Sequence, residues 1–128
     1  MKNGNGKLIK YRLSRANETV EEAKVLFASK HLNACVNRLY YACFYAVCAL
    51  FAKQGLSTAK HSGVRSLFNK HFVKTGKVAK VVARTYNDLF ERRQEADYDD
   101  FYVFEEPDVK RWIDDAARFI AGIAALAE

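Results

Sequence analysis

Apolar side chains recur at gaps of three and four residues between Leu32 and Phe51. The positions that share this spacing are Leu32, Cys35, Val36, Leu39, Tyr40, Cys43, Phe44, Val47, Leu50 and Phe51. The period predicts a helix, and its apolar stripe is too wide for a helix that lies on a protein surface. The segment is short for a membrane span, and Asn33, Asn37 and Arg38 interrupt its first third. We therefore predict the central helix of a soluble bundle, ended by Gly55.

Four further segments with helical spacing flank this central helix along the chain. Their predicted bounds are about 8–29, 62–72, 78–96 and 107–127. Pro107 is tolerated in the first turn of the last helix, and Asp108 favours the positive end of its dipole. The run DYDDFYVFEEP before it lacks helical spacing and predicts a loop folded back onto the bundle. The pattern predicts an all-α fold, an up-and-down bundle of four long helices and one short helix over residues 8–128, after a disordered tail at 1–7.

The composition agrees with long helices and adds information mainly through its cysteines. Six glycines and one proline in 128 residues leave little material for the many turns of a β fold. Cys35, Cys43 and Cys48 lie on the predicted central helix and form no CxxC pair. This pattern indicates buried reduced thiols rather than a secreted disulfide framework. We expect a cytoplasmic protein, because the polar start MKNGNGK also lacks the apolar run of a signal peptide.

The net charge of +6 conceals a strong asymmetry along the chain. Residues 60–93 carry nine Lys and Arg against two acidic residues, whereas residues 94–128 carry three against ten. A basic block predicts attraction to phosphates, whether of RNA, of a nucleotide or of a partner. The same charges also fit two plainer alternatives. They can be solvated helix faces, or they can neutralise the acidic C-terminal helix.

One constellation in the predicted fourth helix carries candidate chemistry. Arg93 occupies a position where the inward stripe requires an apolar residue, and such a cation is either paired or functional. Asp97 lies four residues later, so the two side chains can meet on one helix face. Tyr98 follows at the helix end, where its phenol can turn into a neighbouring cleft. The structural alternative is an ion pair near the helix C-terminus and a tyrosine that packs the loop.

The histidines do not indicate a metal site. His31, His61 and His71 lie far apart, no two of them are four residues apart, and no zinc-ligand spacing is present. The chain also lacks a phosphate-binding glycine loop and a GxSxG motif. We therefore expect neither a metal nor a cofactor.

Two stretches of the chain closely resemble the HEPN family (higher eukaryotes and prokaryotes nucleotide-binding). They are RLYYACFYAVCALFAKQGLSTAKHSGVRSLFNKHFVKTG, which starts at Arg38, and LFERRQEADYDDFY, which contains Arg93. The likeness covers roughly residues 10–126, and the order of several motifs makes it specific. The resemblance implies an α-helical bundle, commonly a homodimer, that pairs with a minimal nucleotidyltransferase in a toxin–antitoxin module. It also implies that the ligand is a nucleotide or RNA. We expect no association with a membrane.

Many members of this family are metal-independent ribonucleases. Their signature is an arginine, four to six intervening residues and a histidine, with two copies meeting across the dimer. The histidine handles the proton of the ribose 2′-hydroxyl, and the arginine stabilises charge on the scissile phosphate. In this chain, four residues separate Arg93 from Tyr98, so tyrosine stands in the place of the histidine. Its ordinary pKa of about 10 makes it a poorer base at neutral pH than histidine, at about 6.5.

The resemblance leads to candidate residues with assigned roles. Arg93, Asp97 and Tyr98 are the catalytic candidates, with His61 as an alternative to the tyrosine. The nucleotide-binding candidates are Lys60, His61, Arg38 and Tyr41, although a surface Lys-His pair is often only solvated, and the other two can simply order the central helix. We expect a nucleotide- or RNA-binding member of a toxin–antitoxin-like pair. The alternatives are an active ribonuclease toxin that uses Arg93 with Tyr98 or His61, and a non-catalytic dimerisation or interaction module.

Overall fold

The computed structural model describes residues 3–58 and 60–128, and within them the chain contains helices and no strand. The helices are α1 (Asn3–Ala28), α2 (Leu32–Gln54), α3 (His61–Phe68), α4 (Lys80–Tyr98) and α5 (Glu106–Ala127), and α3 continues into a π-helical segment at Asn69–Val73. Four of these helices are long and one is short. The prediction of an all-α bundle is confirmed.

The helix α2 is the centre of the bundle, as its apolar pattern predicts. It packs against α1, α4 and α5 and also contacts α3. Leu39, Tyr40 and Cys43 are among its side chains that have no exposed surface. By length and composition α2 could cross a membrane, but 61% of its most apolar window is buried inside the bundle. Such burial is that of a core helix, because the apolar face is covered by other helices rather than left for lipid.

The connections on either side of α2 are set by two residues with a left-handed backbone. Lys30, in the turn between α1 and α2, has φ of 66°. Gly55 ends α2 with φ of 72°, and its N–H donates to the carbonyl of Phe51. Glycine adopts this conformation without the steric penalty of a Cβ atom, which explains the predicted and observed helix end.

The largest difference from the predicted elements is at the N-terminus. The helix α1 begins at Asn3, whereas the periodicity predicted a start at Leu8 after a disordered tail. Residues 3–7 of that tail are therefore helical, and Met1 and Lys2 lie outside the described residues. The Asn5 amide donates a 2.9 Å hydrogen bond to the carbonyl of Ala52 and ties the first turns of α1 to the end of α2. The spacing of apolar residues cannot predict such a hydrogen bond.

The three cysteines are free thiols within the bundle. Cys35 and Cys43 are buried and Cys48 is half-buried. Burial raises the pKa of Cys35 and of Cys48 to about 11 and raises the pKa of Cys43 further. Neutral thiols are poor nucleophiles, so these residues act as small apolar core side chains.

Candidate functional site

Arg93, near the C-terminal end of α4, lies over two tyrosine rings of α2. Its guanidinium carbon is 4.6 Å from the ring centroid of Tyr40 and 5.7 Å from that of Tyr41. The side chain is only 17% exposed, and its buried Nε finds no hydrogen-bond partner among the described residues. The aromatic faces attract the cation, which explains how a charged residue is tolerated on the inward stripe. The guanidinium is held in place while one of its donors stays unused.

Asp97 meets Arg93 as the four-residue spacing predicts, but the contact is loose. The nearest atoms, Arg93 Nη1 and Asp97 Oδ2, are 3.7 Å apart, which is longer than a hydrogen bond. The Asp97 side chain is 58% exposed, so water screens the pair and its contribution to stability is small. Asp97 therefore does not occupy the hydrogen-bonding capacity of Arg93.

A second arginine, Arg38, reaches the same place from α2. Its guanidinium carbon is 5.0 Å from the ring centroid of Tyr41, so this ring lies between two cations. Arg38 is 3.7 Å from the carboxylate of Glu22 and donates to the amide oxygen of Asn37. Arg38, Arg93 and Asn37 line one open cleft of about 350 Å³. Two guanidinium groups with incompletely used donors in one cleft form a site suited to a phosphate.

His61, the first residue of α3, joins this group through Tyr40. The hydroxyl of Tyr40 and Nδ1 of His61 form a 3.2 Å hydrogen bond, and the imidazole stacks on Phe44 at 4.4 Å. Burial, and then the charge of Arg93, lower the pKa of His61 below its usual value. The imidazole is therefore neutral at neutral pH, and a neutral imidazole can accept a proton.

Two aromatic residues that the sequence reasoning did not select support this arrangement. Tyr86 of α4 stacks on Tyr40 at 6.0 Å, and its buried hydroxyl has no hydrogen-bond partner in the described part of the chain. Burial raises the pKa of Tyr40 to about 12, against the lowering effect of Arg93, so this phenol stays protonated. The other residue is Phe44, the platform for His61. A tyrosine on each of two inward stripes was the available signal, because a buried hydroxyl requires a partner.

The remaining predicted residues lie apart from this group. Tyr98 is the last residue of α4, and its side chain is 88% exposed rather than turned into the cleft. Lys60 precedes α3 and is exposed. The structure thus brings together Arg38, Tyr41, His61, Arg93 and Asp97, and it leaves Tyr98 and Lys60 at the surface. Across residues 3–58 and 60–128, no three His, Cys, Asp or Glu side chains cluster closely enough to hold a metal ion.

Comparisons with known proteins show which proteins this chain is similar to. A family model described as "HEPN domain" matches residues 9–124. A "UPF0332 protein" of Thermotoga maritima is 48% identical over 122 residues, which are 95% of this chain and 92% of that protein. Two proteins of Methanocaldococcus jannaschii, named "Putative toxin MJ0142" and "Putative toxin MJ0605", are 34% and 35% identical over 87 and 83 residues. These two matches cover 68% and 65% of this chain, and 59% and 62% of the relatives.

Proposed function

This chain belongs to the HEPN domain family, and from that premise we propose that it is a toxin-like protein whose Arg38–Arg93 cleft binds the phosphate of a nucleotide or of RNA. One observation carries the proposal: the Arg93 guanidinium is fixed over Tyr40 and Tyr41 and lines the cleft beside Arg38, with only a loose 3.7 Å contact to Asp97. A phosphate in the cleft would accept charge-assisted hydrogen bonds from Nη donors that Asp97 does not engage. The relatives named as toxins support the same class of function.

The proposal includes a homodimer and a minimal nucleotidyltransferase as partner, which the family relationship suggests. An exposed apolar edge after α4 supports docking of another protein. Tyr98, Phe101 and Val103 are 88%, 91% and 74% exposed, although all three are large apolar side chains. Exposed apolar groups that lie close together commonly mark an interaction surface. Tyr98 belongs, in this proposal, to the partner surface rather than to the phosphate cleft.

A second candidate function is metal-independent cleavage of RNA, and the position of His61 favours it. His61 is hydrogen-bonded to Tyr40, the ring over which Arg93 lies. Its lowered pKa keeps the imidazole neutral, so it can take the proton of the ribose 2′-hydroxyl as that oxygen attacks the phosphorus. The bond from phosphorus to the 5′-oxygen of the next nucleotide breaks, which leaves a 2′,3′-cyclic phosphate, and the 5′-oxygen takes its proton from water. Arg93 would stabilise the charge that develops on the phosphate oxygens. This geometry favours His61 over the exposed Tyr98 as the base.

A neighbouring arginine provides a matched control for the binding experiment. Arg92 stacks on Trp112, with its guanidinium carbon 4.0 Å from the ring, and so points away from the cleft. A charge-assisted hydrogen bond contributes about 1.5–3 kcal/mol, so we expect Arg93→Gln to weaken the binding of AMP by about tenfold to a hundredfold in calorimetric titrations. Arg92→Gln should leave the affinity within about twofold. Equal losses in the two variants would contradict a specific role for Arg93.

The ribonuclease candidate is tested with the same protein in the presence of a chelator. We expect His61→Ala and Arg93→Gln to abolish cleavage of a single-stranded RNA, and Tyr98→Phe to retain it. Circular dichroism checks that each variant is folded. Cleavage that survives in His61→Ala and disappears in Tyr98→Phe would assign the base to Tyr98 instead. Absence of cleavage by the wild type would leave phosphate binding as the function.

A further inference from the structure

The longest acid-free part of the chain contains the short helix α3. No acidic residue occurs between Glu22 and Asp88, and seven Lys and Arg lie between Lys60 and Arg84. Among the ion pairs of the described residues, only Arg65 of these seven takes part, through a 2.7 Å contact with Glu91. The other six cations are therefore left without acidic partners in the described part of the chain.

The acidic C-terminal quarter does not neutralise these cations. The α5 carboxylates of Asp108 and Asp115 pair with Arg111 and Arg118 of the same helix. Glu106 at the start of α5 pairs with Lys30. The ion pairs of these α5 residues are thus made with basic residues other than the seven between Lys60 and Arg84. This removes one of the two plain explanations for the basic block and leaves solvation as the other.

The outward face of α3 repeats small donors and lysines at a regular interval. Ser62, Ser66, Lys70 and Lys74 follow one another every four residues, and all four are exposed. With Lys60 at the start of the helix, they form what we call the α3 strip. Its second half passes through the π-helical segment Asn69–Val73, a rare conformation that is frequent at functional sites. Lysine and serine side chains are common contacts to phosphate oxygens in nucleic-acid complexes.

The α3 strip starts beside Tyr40, the ring over which Arg93 lies, and α3 then runs along α4 in the opposite direction. His61 lies beside Tyr40, Arg65 contacts Glu91, and the amides of Asn69 and Asn87 exchange two hydrogen bonds of 3.1 Å. The thirteen steps from His61 to Lys74 correspond to about 20 Å of helix. A ligand that is seated at Arg93 and follows the strip must therefore be longer than one nucleotide.

We propose that the α3 strip is a track for the sugar-phosphate backbone of RNA, and that the physiological ligand is an RNA strand rather than a free nucleotide. The proposal rests on the proposed function at one point, because it takes a phosphate in the Arg93 cleft as the end of the track. The cleft then fixes one phosphate, and the strip binds those that follow. The strip contributes affinity without sequence preference, because backbone contacts carry no direct base information.

The test compares a short ligand, which reports on the cleft, with a long ligand, which also reports on the strip. The short ligand is AMP and the long one is a twelve-nucleotide single-stranded RNA. The variant combines Lys60→Gln, Lys70→Gln and Lys74→Gln. The control combines Lys7→Gln, Lys10→Gln and Lys110→Gln, which remove the same charge from exposed positions on α1 and α5.

We expect the strip variant to bind AMP like the wild type and to lose most of the extra affinity of the longer RNA. Each phosphate contact on a single strand contributes about 0.7 to the slope of log affinity against log salt, so the slope should fall by about two. The control variant should retain both affinities and the slope. A strip variant that keeps the wild-type RNA affinity and slope would overturn the proposal.

The two proposals fail in different ways. If Arg93→Gln leaves AMP and RNA binding unchanged, the cleft is wrong, whatever the strip variant does. If Arg93→Gln weakens both ligands while the strip variant weakens neither, the cleft stands and the RNA track is overturned. Loss of binding to vesicles of anionic phospholipid in the strip variant, with RNA binding retained, would also overturn it and assign the strip to a membrane surface.

Discussion

Replacing Arg93 by methionine separates a binding role from a structural one. Methionine keeps a flexible side chain of similar length and removes the charge and all the donors. Its thioether can contact the rings of Tyr40 and Tyr41, which now receive the guanidinium. Sulfur–aromatic contacts contribute about 0.3–1.5 kcal/mol and replace part of what is lost.

The expected change in stability follows from the contacts of this one side chain. Two cation–π contacts, at 4.6 Å and 5.7 Å, contribute about 0.5–1 kcal/mol each, and the loose pair with Asp97 about 0–1 kcal/mol. Against this, the substitution removes a buried Nε without a partner in the described chain, whose cost is about 1–3 kcal/mol. We therefore expect Arg93→Met to change the free energy of unfolding by less than about 1 kcal/mol and to weaken AMP binding at least as much as Arg93→Gln does.

Urea denaturation followed by circular dichroism measures the first quantity, and calorimetric titration with AMP measures the second. Arg92→Met is the control, since it removes a comparable stack on Trp112 together with a 3.9 Å pair with Asp88. It should cost about 1 kcal/mol and leave AMP binding unchanged. A loss of more than about 3 kcal/mol in Arg93→Met would refute the reasoning, because that is the cost of breaking a buried ion pair that holds a fold together.

Three further predictions concern charge and anchoring. Because the pKa of His61 is lowered in the folded state, the unfolded chain binds more protons as the pH falls below about 6.5. The free energy of unfolding should therefore fall as the pH falls through that range. His61→Gln should flatten this part of the plot of unfolding free energy against pH. A plot unchanged by the substitution would contradict the burial of the imidazole. Asp97→Asn removes the carboxylate that competes for Arg93 at 3.7 Å, so AMP should bind about two- to fivefold tighter in titrations, and weaker binding would show that Asp97 contacts the ligand favourably. Asn5→Ala removes the hydrogen bond to Ala52 and should cost about 1 kcal/mol by urea denaturation, with faster amide exchange in the first turns of α1 as the local sign.

The sequence predicted most where the apolar residues are regularly spaced, and where one residue breaks that spacing. The spacing of apolar residues in 32–51 identifies the central helix, because a stripe that wide can be satisfied only inside a bundle. Arg93 was visible for the converse reason, as a cation at a position that periodicity assigns to the core. Its contact with Asp97 also followed from spacing, since both residues lie on one helix.

The sequence was least informative about contacts between helices. The four-residue rule links Arg93 to Asp97, but only the packing of α2 against α4 brings Tyr40 beneath it. The bond between Tyr40 and His61 spans 21 residues, and the Asn5 anchor spans 47, so neither has a local signature. Tyr98 was expected to turn into a neighbouring cleft because it ends the fourth helix, and its side chain is instead exposed.

Tyr40 belongs to the core and to the site at the same time. Its fully buried ring stacks on Tyr86 and contacts the guanidinium of Arg93, and its hydroxyl is hydrogen-bonded to His61. Substitutions of Tyr40 must therefore preserve both the packing of the core and the geometry of the site, whereas substitutions of Arg93 affect mainly the site. A variant library sorted first for folded protein and then for ligand capture should deplete Tyr40 substitutions at the first sort and Arg93 substitutions at the second. Changes to the central tyrosine thus act on the fold and on the site together.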